Sequence, residues 1–280
     1  MERLEAHRSF FANLVTASAG LRGPGISRLV AAFASTPRER FVGPGPWKVF
    51  TAVGYIETPA DDPAFLYQDV TVALKPESQI NNGQPMLHAL CLATLNPQEG
   101  ETAVHIGAGT GYYTALLAQL VGPTGTVVAY EIEPDLAQRA TTNLADFSQV
   151  AVHARSASEG ALPECDILYG SAGVTGPLDS WLDAIRPGGR LLVPLTPAQG
   201  AGAMLLVTRT SPDRFEARFV CRAMFIPCTG ARDEETAQRL TEAFKREDMK
   251  DVKSLRRGTP PDETCWCAGP GWWLSTSQIP

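Results

Sequence analysis

Three glycines on alternate positions, Gly107, Gly109 and Gly111, follow the apolar run Val104-His105-Ile106 and lead into a helical stretch that opens at Tyr112-Tyr113. The next apolar run, Thr126-Val127-Val128-Ala129-Tyr130, ends on Glu131. An acid about 20 residues beyond such a glycine turn stands where a carboxylate accepts from ribose hydroxyls. The pattern therefore points to a nucleoside-containing cofactor. A dinucleotide fold places a glycine at the sixth position of its fingerprint, so that backbone can approach a pyrophosphate. Tyr112 occupies that position, and the loop reads G-x-G-x-G.

The elements that must position these residues follow from periodicity. Between residues 100 and 210, apolar strands at 102–106, 126–130, 149–153, 166–170 and 190–194 alternate with helices near 111–121, 134–146 and 178–185, as in a parallel α/β sheet. Pro187-Gly188-Gly189 is expected as a tight turn feeding the fifth strand. A helix should begin at Pro85 and close at Asn96-Pro97. Residues 1–50 read as helical, and residues 43–85, rich in Gly and Pro, as loops with a small hairpin. Ala203–Thr208 and Phe215–Ile226 suggest an antiparallel edge pair, and Glu234–Arg246 an amphipathic helix. The tail, with Cys265-Trp266-Cys267 and Gly271-Trp272-Trp273, reads as a closing strand whose tryptophans pack on the body; an aromatic platform for substrate is the sharper alternative. The expected organisation is an N-terminal helical, substrate-side region (1–98), a cofactor-binding core (99–210) and a C-terminal region of strands, helix and Trp-rich tail (211–280).

A formal net charge of −6 over 280 residues argues against a broad nucleic-acid surface. No run of 18 apolar residues is present, so no membrane span is expected. Met1-Glu2-Arg3-Leu4-Glu5-Ala6-His7 lacks the apolar core of a signal peptide, and a cytoplasmic location is expected. Six cysteines do not make a disulfide scaffold in a chain of this length. Cys265 and Cys267 form the single close pair, the four histidines are scattered, and no metal site is expected.

The G-x-G-x-G loop with its strand-end acid resembles motif I of class I S-adenosylmethionine (SAM) methyltransferases. That cofactor carries no phosphate and needs bare backbone against its methionine and ribose. The resemblance implies a Rossmann-like sheet with helices on both faces, here with N- and C-terminal extensions. It implies cofactor contacts from Gly107, Ala108, Gly109, Thr110, Gly111, Tyr112, Glu131 and Ile132. Three further segments narrow it. Thr36-Pro37-Arg38-Glu39-Arg40-Phe41-Val42 is similar to the P-R-x-x-F-V segment of protein-L-isoaspartate O-methyltransferases. Gly83-Gln84-Pro85-Met86 resembles their S-x-P-x-M motif, and Arg186-Pro187-Gly188-Gly189-Arg190-Leu191-Leu192-Val193-Pro194 their L-K-P-G-G-R-L-x-x-P segment. The three occur in the family's order across about residues 25–210.

Three departures accompany these matches. The family's S-x-P serine, which the resemblance places beside the acceptor carboxylate and the methyl donor, is Gly83 here, with Asn81 and Asn82 as the nearest polar substitutes. His105 stands where the family carries an acid that helps hold the amino group of SAM. The family's G-D-G after the third strand reads Ala154-Arg155-Ser156, leaving Ser156 or Ser158 to take over adenine recognition. His88, near the start of the Pro85 helix, is a candidate for steering an anionic acceptor, against the plainer reading of a core histidine.

The resemblance implies SAM-dependent O-methylation of a carboxylate in a protein or peptide, a small molecule remaining open, with the departures tilting toward a dedicated substrate over general isoaspartyl repair. Carboxylate methylation needs alignment and exclusion of water more than a strong base. Two other readings are carried. The segment Ala118–Gly125 with Val128–Glu131 also resembles tRNA adenine-N1 methyltransferases, against which the acidic charge weighs. Loss of three family side chains would also fit a non-catalytic SAM-binding relic.

Overall fold

The computed structural model describes residues 2–246 and 248–279; Met1, Glu247 and Pro280 lie outside the described residues. Helices α1 (Glu2–Ser18), α2 (Ser27–Ser35) and α3 (Glu39–Val42) come first. Two small hairpins follow, β1 (Lys48–Thr51) with β2 (Gly54–Glu57) and β3 (Ala73–Lys75) with β4 (Ile80–Asn81). Then come α4 (Pro85–Leu95), β5 (Thr102–Ile106), α5 (Tyr112–Val121), β6 (Thr126–Tyr130), α6 (Pro134–Asn143), β7 (Val150–His153), β8 (Cys165–Gly170), α7 (Asp179–Ala184) and β9 (Ile185–Leu195). The chain continues through β10 (Gly202–Ser211), β11 (Arg214–Ala223), α8 (Glu234–Lys245), β12 (Ser254–Arg257), β13 (Cys265–Gly269) and β14 (Trp272–Ser275).

These elements gather into two compact units, residues 1–101 with 108–155, and residues 102–107 with 156–280. In the first, β6 and β7 run parallel, from Val127 opposite Val150 to Tyr130 opposite His153. Pro85 opens α4 at the first helical position, where a missing N–H costs no bond. Helix α5 is buried almost all round, as its sequence Tyr-Tyr-Thr-Ala-Leu-Leu-Ala-Gln-Leu-Val requires. A small core of Val42, Trp47, Leu66, Val72, Leu74 and Leu136 underlies the hairpins.

In the second unit the strand order is β13-β14-β12-β11-β10-β9-β8-β5. Strands β5, β8 and β9 are parallel neighbours, and every later pairing is antiparallel. The alternation of strand and helix from β5 to β9 is that of the α/β class. Two expectations are corrected here. Pro187-Gly188-Gly189 lies inside β9: Ile185 pairs with Cys165 and Arg190 with Ile167, so the turn is a bulge within a continuous strand, with Gly188 at φ +84°. Strands β10 and β11 are not an edge pair, because β11 pairs with β12 and the tail adds β14 and β13 beyond it. Trp266, Trp272 and Trp273 are buried, at 3%, 6% and 2% exposure, which removes the platform reading of the tail. The tail can extend the sheet because apolar side chains cover it, a packing fact that short-range periodicity does not encode. Among the described residues no helix is long and apolar enough to cross a membrane.

Candidate functional site

The first unit carries the glycine loop from Ala108 onward and the strand-end acid. The Ala108 N–H donates to the Tyr130 carbonyl at 3.1 Å, which ties the loop to the end of β6. Gly111, at φ +94°, begins α5, and a Cβ there would stand 2.7 Å from Leu144 Cδ1, so both the backbone conformation and the space demand glycine. The Thr110 carbonyl accepts from Asn143 Nδ2 at 2.9 Å. Tyr112 and Thr110 are buried, and among the described residues the Tyr112 hydroxyl has no partner. Burial pushes its ionisation upward.

Glu131 is 6% exposed and doubly anchored. Its Oε2 accepts from the Gly109 N–H at 2.6 Å and its Oε1 from the Glu133 N–H at 3.0 Å. Burial raises its pKa, and the Glu133 and Gly109 amides oppose that rise. Two backbone donors thus aim the carboxylate while each oxygen keeps a lone pair. Beside it Ile132 is 42% exposed, an apolar surface at the strand end. A left-handed glycine loop, a carboxylate pinned to it and a bare apolar side chain next in sequence suit a ribose and a base, so the residues present fit SAM.

The same unit assembles the acceptor-side candidates. Gly83 lies at φ +74°, and a Cβ built on it would fall 2.2 Å from His88 Nε2. The His88 imidazole, 1% exposed, fills the space a side chain at position 83 would take. It stacks on Tyr113 with centroids 3.5 Å apart and rings 3° from parallel. The Tyr113 hydroxyl donates to the Gly83 carbonyl at 3.3 Å. Asn81 Oδ1 accepts from the Gly83 N–H at 3.0 Å, whereas Asn82 turns its Oδ1 to the Val72 N–H at 2.8 Å and holds the hairpin. Asn82 Nδ2 is buried without a partner among the described residues. Gly83, His88 and Asn81 are therefore brought together, and Asn82 serves the strand beside them.

Sequence reasoning missed two residues that hold this turn. Asp69 accepts from the Met86 N–H at 2.7 Å and from Gln84 Nε2 at 2.8 Å, fixing the first turn of α4. Arg38, 0% exposed, donates to the carbonyls of Leu66 at 2.5 Å, of Gln68 at 3.1 Å and of Val70, and so shapes the segment that presents Asp69. Arg38 belongs to the P-R-x-x-F-V segment, which was the available signal; nothing local marks Asp69.

In the second unit His105 is fully buried, with its ring 8° from parallel to Tyr169 and Nε2 at 3.0 Å from Ser171 Oγ. Burial pushes its pKa down to about 3, so the imidazole is neutral at physiological pH. Gly107, at φ +76°, lies against Ser171: a Cβ there would be 3.3 Å from the Ser171 carbonyl carbon. Ser171, just past the C-terminal end of β8, was also missed; strand ends of this kind are where open α/β sheets bind ligands. Ser156, 7% exposed, sits 2.7 Å from Ser158 Oγ and donates to the Thr229 carbonyl at 3.3 Å.

Comparison with known proteins agrees with this geometry. The family model for protein-L-isoaspartate(D-aspartate) O-methyltransferase (PCMT) matches residues 26–233. A protein-L-isoaspartate O-methyltransferase of Brucella anthropi is 27% identical over 216 residues, 75% of this chain and 88% of its own length. One of Bradyrhizobium sp. is 30% identical over 213 residues, 74% of this chain and 89% of its own. A solved Plasmodium falciparum protein, titled a PCMT in complex with S-adenosyl-L-homocysteine, shares the fold at TM-score 0.64 and 14% identity, covering 80% of this chain and 98% of that one. The glycine loop, the anchored Glu131 and a family match across three quarters of the chain agree: this chain belongs to the protein-L-isoaspartate(D-aspartate) O-methyltransferase family of SAM-dependent methyltransferases.

Proposed function

We propose that this chain transfers the methyl group of SAM to a carboxylate of a protein or peptide, and that its acceptor is a dedicated substrate narrower than the isoaspartyl residues of damaged proteins at large. The observation that carries the narrower acceptor is the turn at Gly83. Its side-chain space is filled by His88, so no hydroxyl can be presented from that position without displacing a buried, stacked ring.

When bound, the cofactor supplies an electrophilic methyl group on a sulfonium. Glu131 holds the ribose hydroxyls with the lone pairs that the Gly109 and Glu133 amides leave, giving charge-assisted bonds. Ile132 offers apolar surface to the base, and Ser156 with Ser158 supplies hydroxyls for adenine. His105, neutral and fully buried against Tyr169 and Ser171, is assigned to the amino-acid end as a positioning residue that acts through Ser171. The acceptor carboxylate is already ionised at neutral pH, so no group is assigned as a base. Asn81 and Gly83, the partly exposed members of the turn, are assigned to the acceptor. His88 is a positioning residue that acts through Gly83 and Tyr113. Residues 99–210 form the cofactor core in this reading. Among the described residues the six cysteines form no disulfide, and a cytoplasmic location is part of this proposal.

The test is methyl transfer from labelled SAM to an isoaspartyl peptide and its aspartyl twin, with SAM binding measured in the same sample. SAM binding with little transfer to either peptide, and base-labile methyl ester formation on a peptide or protein from the producing cell, is expected. Efficient transfer to arbitrary isoaspartyl peptides would show general repair chemistry and overturn the narrower reading. Absence of any carboxyl ester on any acceptor would overturn the reading as a whole.

A further inference from the structure

The C-terminal extension carries a charged groove that the methyl-transfer chemistry does not use. On β11, Arg214, Glu216 and Arg218 are exposed while Phe215 and Ala217 between them are buried, so alternate side chains project to one face. Glu216 lies opposite Thr208 of β10, on the same face. Lys250 and Lys253, from the turn that leads into β12, join these residues around a cavity of about 510 Å³. Four cations and one carboxylate thus line a concave surface, on a protein whose formal charge is −6. Among the described residues none of the four makes an ion pair or a side-chain hydrogen bond. Four cations against one carboxylate leave an excess of positive charge on this surface, which gains most from a ligand that brings carboxylates.

We infer that this groove is a docking site for an acidic peptide segment, an anchor on the acceptor away from the carboxylate that is methylated. The choice of a polypeptide occupant rests on the acceptor class proposed above; the charge complementarity stands without it. Arg214 and Arg218 are four residues apart on one strand, about 13 Å, with Glu216 between them. An extended peptide with carboxylates four residues apart and a neutral residue midway matches that spacing. A nucleic acid fits less well, because no aromatic residue lines the groove to stack a base and Glu216 sits in the path of a phosphate chain.

The experiment is fluorescence anisotropy on the full-length protein with a labelled ten-residue peptide carrying Glu at that spacing. Its Gln twin and a single-stranded oligonucleotide of equal length serve as controls. The Glu peptide is expected to bind, to weaken at high salt, and to lose at least tenfold in affinity in both R218E/K253E and the milder R218Q/K253Q. SAM binding and circular dichroism of both variants should match the parent. Equal binding of the Gln twin, unchanged affinity in the folded variants, or tighter binding of the oligonucleotide would overturn the inference. Docking without methylation of any carboxylate would leave the groove standing and refute the proposed reaction instead.

Discussion

A methyl group added at position 83 tests the central packing claim. In Gly83→Ala the new Cβ falls 2.2 Å from His88 Nε2, far inside van der Waals contact, on a backbone at φ +74°. The left-handed conformation costs a non-glycine residue roughly 1–2 kcal/mol, and forcing extra volume into a packed site costs about 1–3 kcal/mol. The ring has little room to yield, since it is 1% exposed and stacked at 3.5 Å on Tyr113. Together the variant should lose about 2–5 kcal/mol, a fall in Tm of roughly 5–15 °C for a chain of this size. The two parts separate in a double-mutant cycle. In a His88→Ala background the clash disappears and only the backbone part remains, so the cycle of urea unfolding free energies should show a coupling of about 1–3 kcal/mol. Gly83→Ser should behave as Gly83→Ala does and gain no isoaspartyl activity. A Gly83→Ala protein as stable as the parent, or an equal loss in both backgrounds, would refute the idea that His88 fills the place of a side chain at 83.

Three further outcomes follow from named contacts. Glu131→Gln keeps the shape but removes the charge and sets an amide NH2 against a backbone N–H, Gly109 or Glu133; SAM affinity by calorimetry should fall about 10- to 100-fold, and an unchanged affinity would exclude a ribose role. Asp69→Ala removes the acceptor for the Met86 N–H and Gln84 Nε2 and should cost about 1–2 kcal/mol in urea unfolding while leaving SAM affinity near the parent's, which would move with it if Asp69 served the cofactor. The His105 pKa is lowered to about 3 in the folded state from 6.5, so the unfolded chain binds the extra proton as pH falls through 6.5. Its contribution is complete above that value and declines by about 1.4 kcal/mol per pH unit toward 3. Between pH 6.5 and 5 the parent should lose about 1.5–2 kcal/mol more than His105→Gln; equal losses would mean that His105 is protonated in the fold.

Much of the cofactor side was legible because its requirements are local. Gly111 must be glycine for its own φ, Glu131 ends its own strand, and the alternation of apolar runs with helical periods from 102 to 195 is written in consecutive residues. Pro187-Gly188-Gly189 was recognisable as a turn for the same reason, but whether it precedes a strand or bulges within one depends on Cys165 and Ile167, pairing partners some 20 residues away. The tail likewise marked itself as apolar, yet only pairing of β12 with β11 decides that it extends the sheet.

By itself the sequence determined the α/β class, the glycine-rich loop with its strand-end acid, and membership of a methyltransferase family with three altered positions. Only the tertiary structure decided what those alterations mean. A glycine at 83 reads as a missing serine until His88 is seen in its space, and His105 reads as a lost charge until it is seen buried and neutral against Ser171. Asp69 and the basic groove at Arg214, Arg218, Lys250 and Lys253 had no signature at all. The physical reason is range: backbone conformation and strand or helix period are set by neighbours in the chain, whereas exclusion of volume, desolvation and charge complementarity are set by neighbours in space.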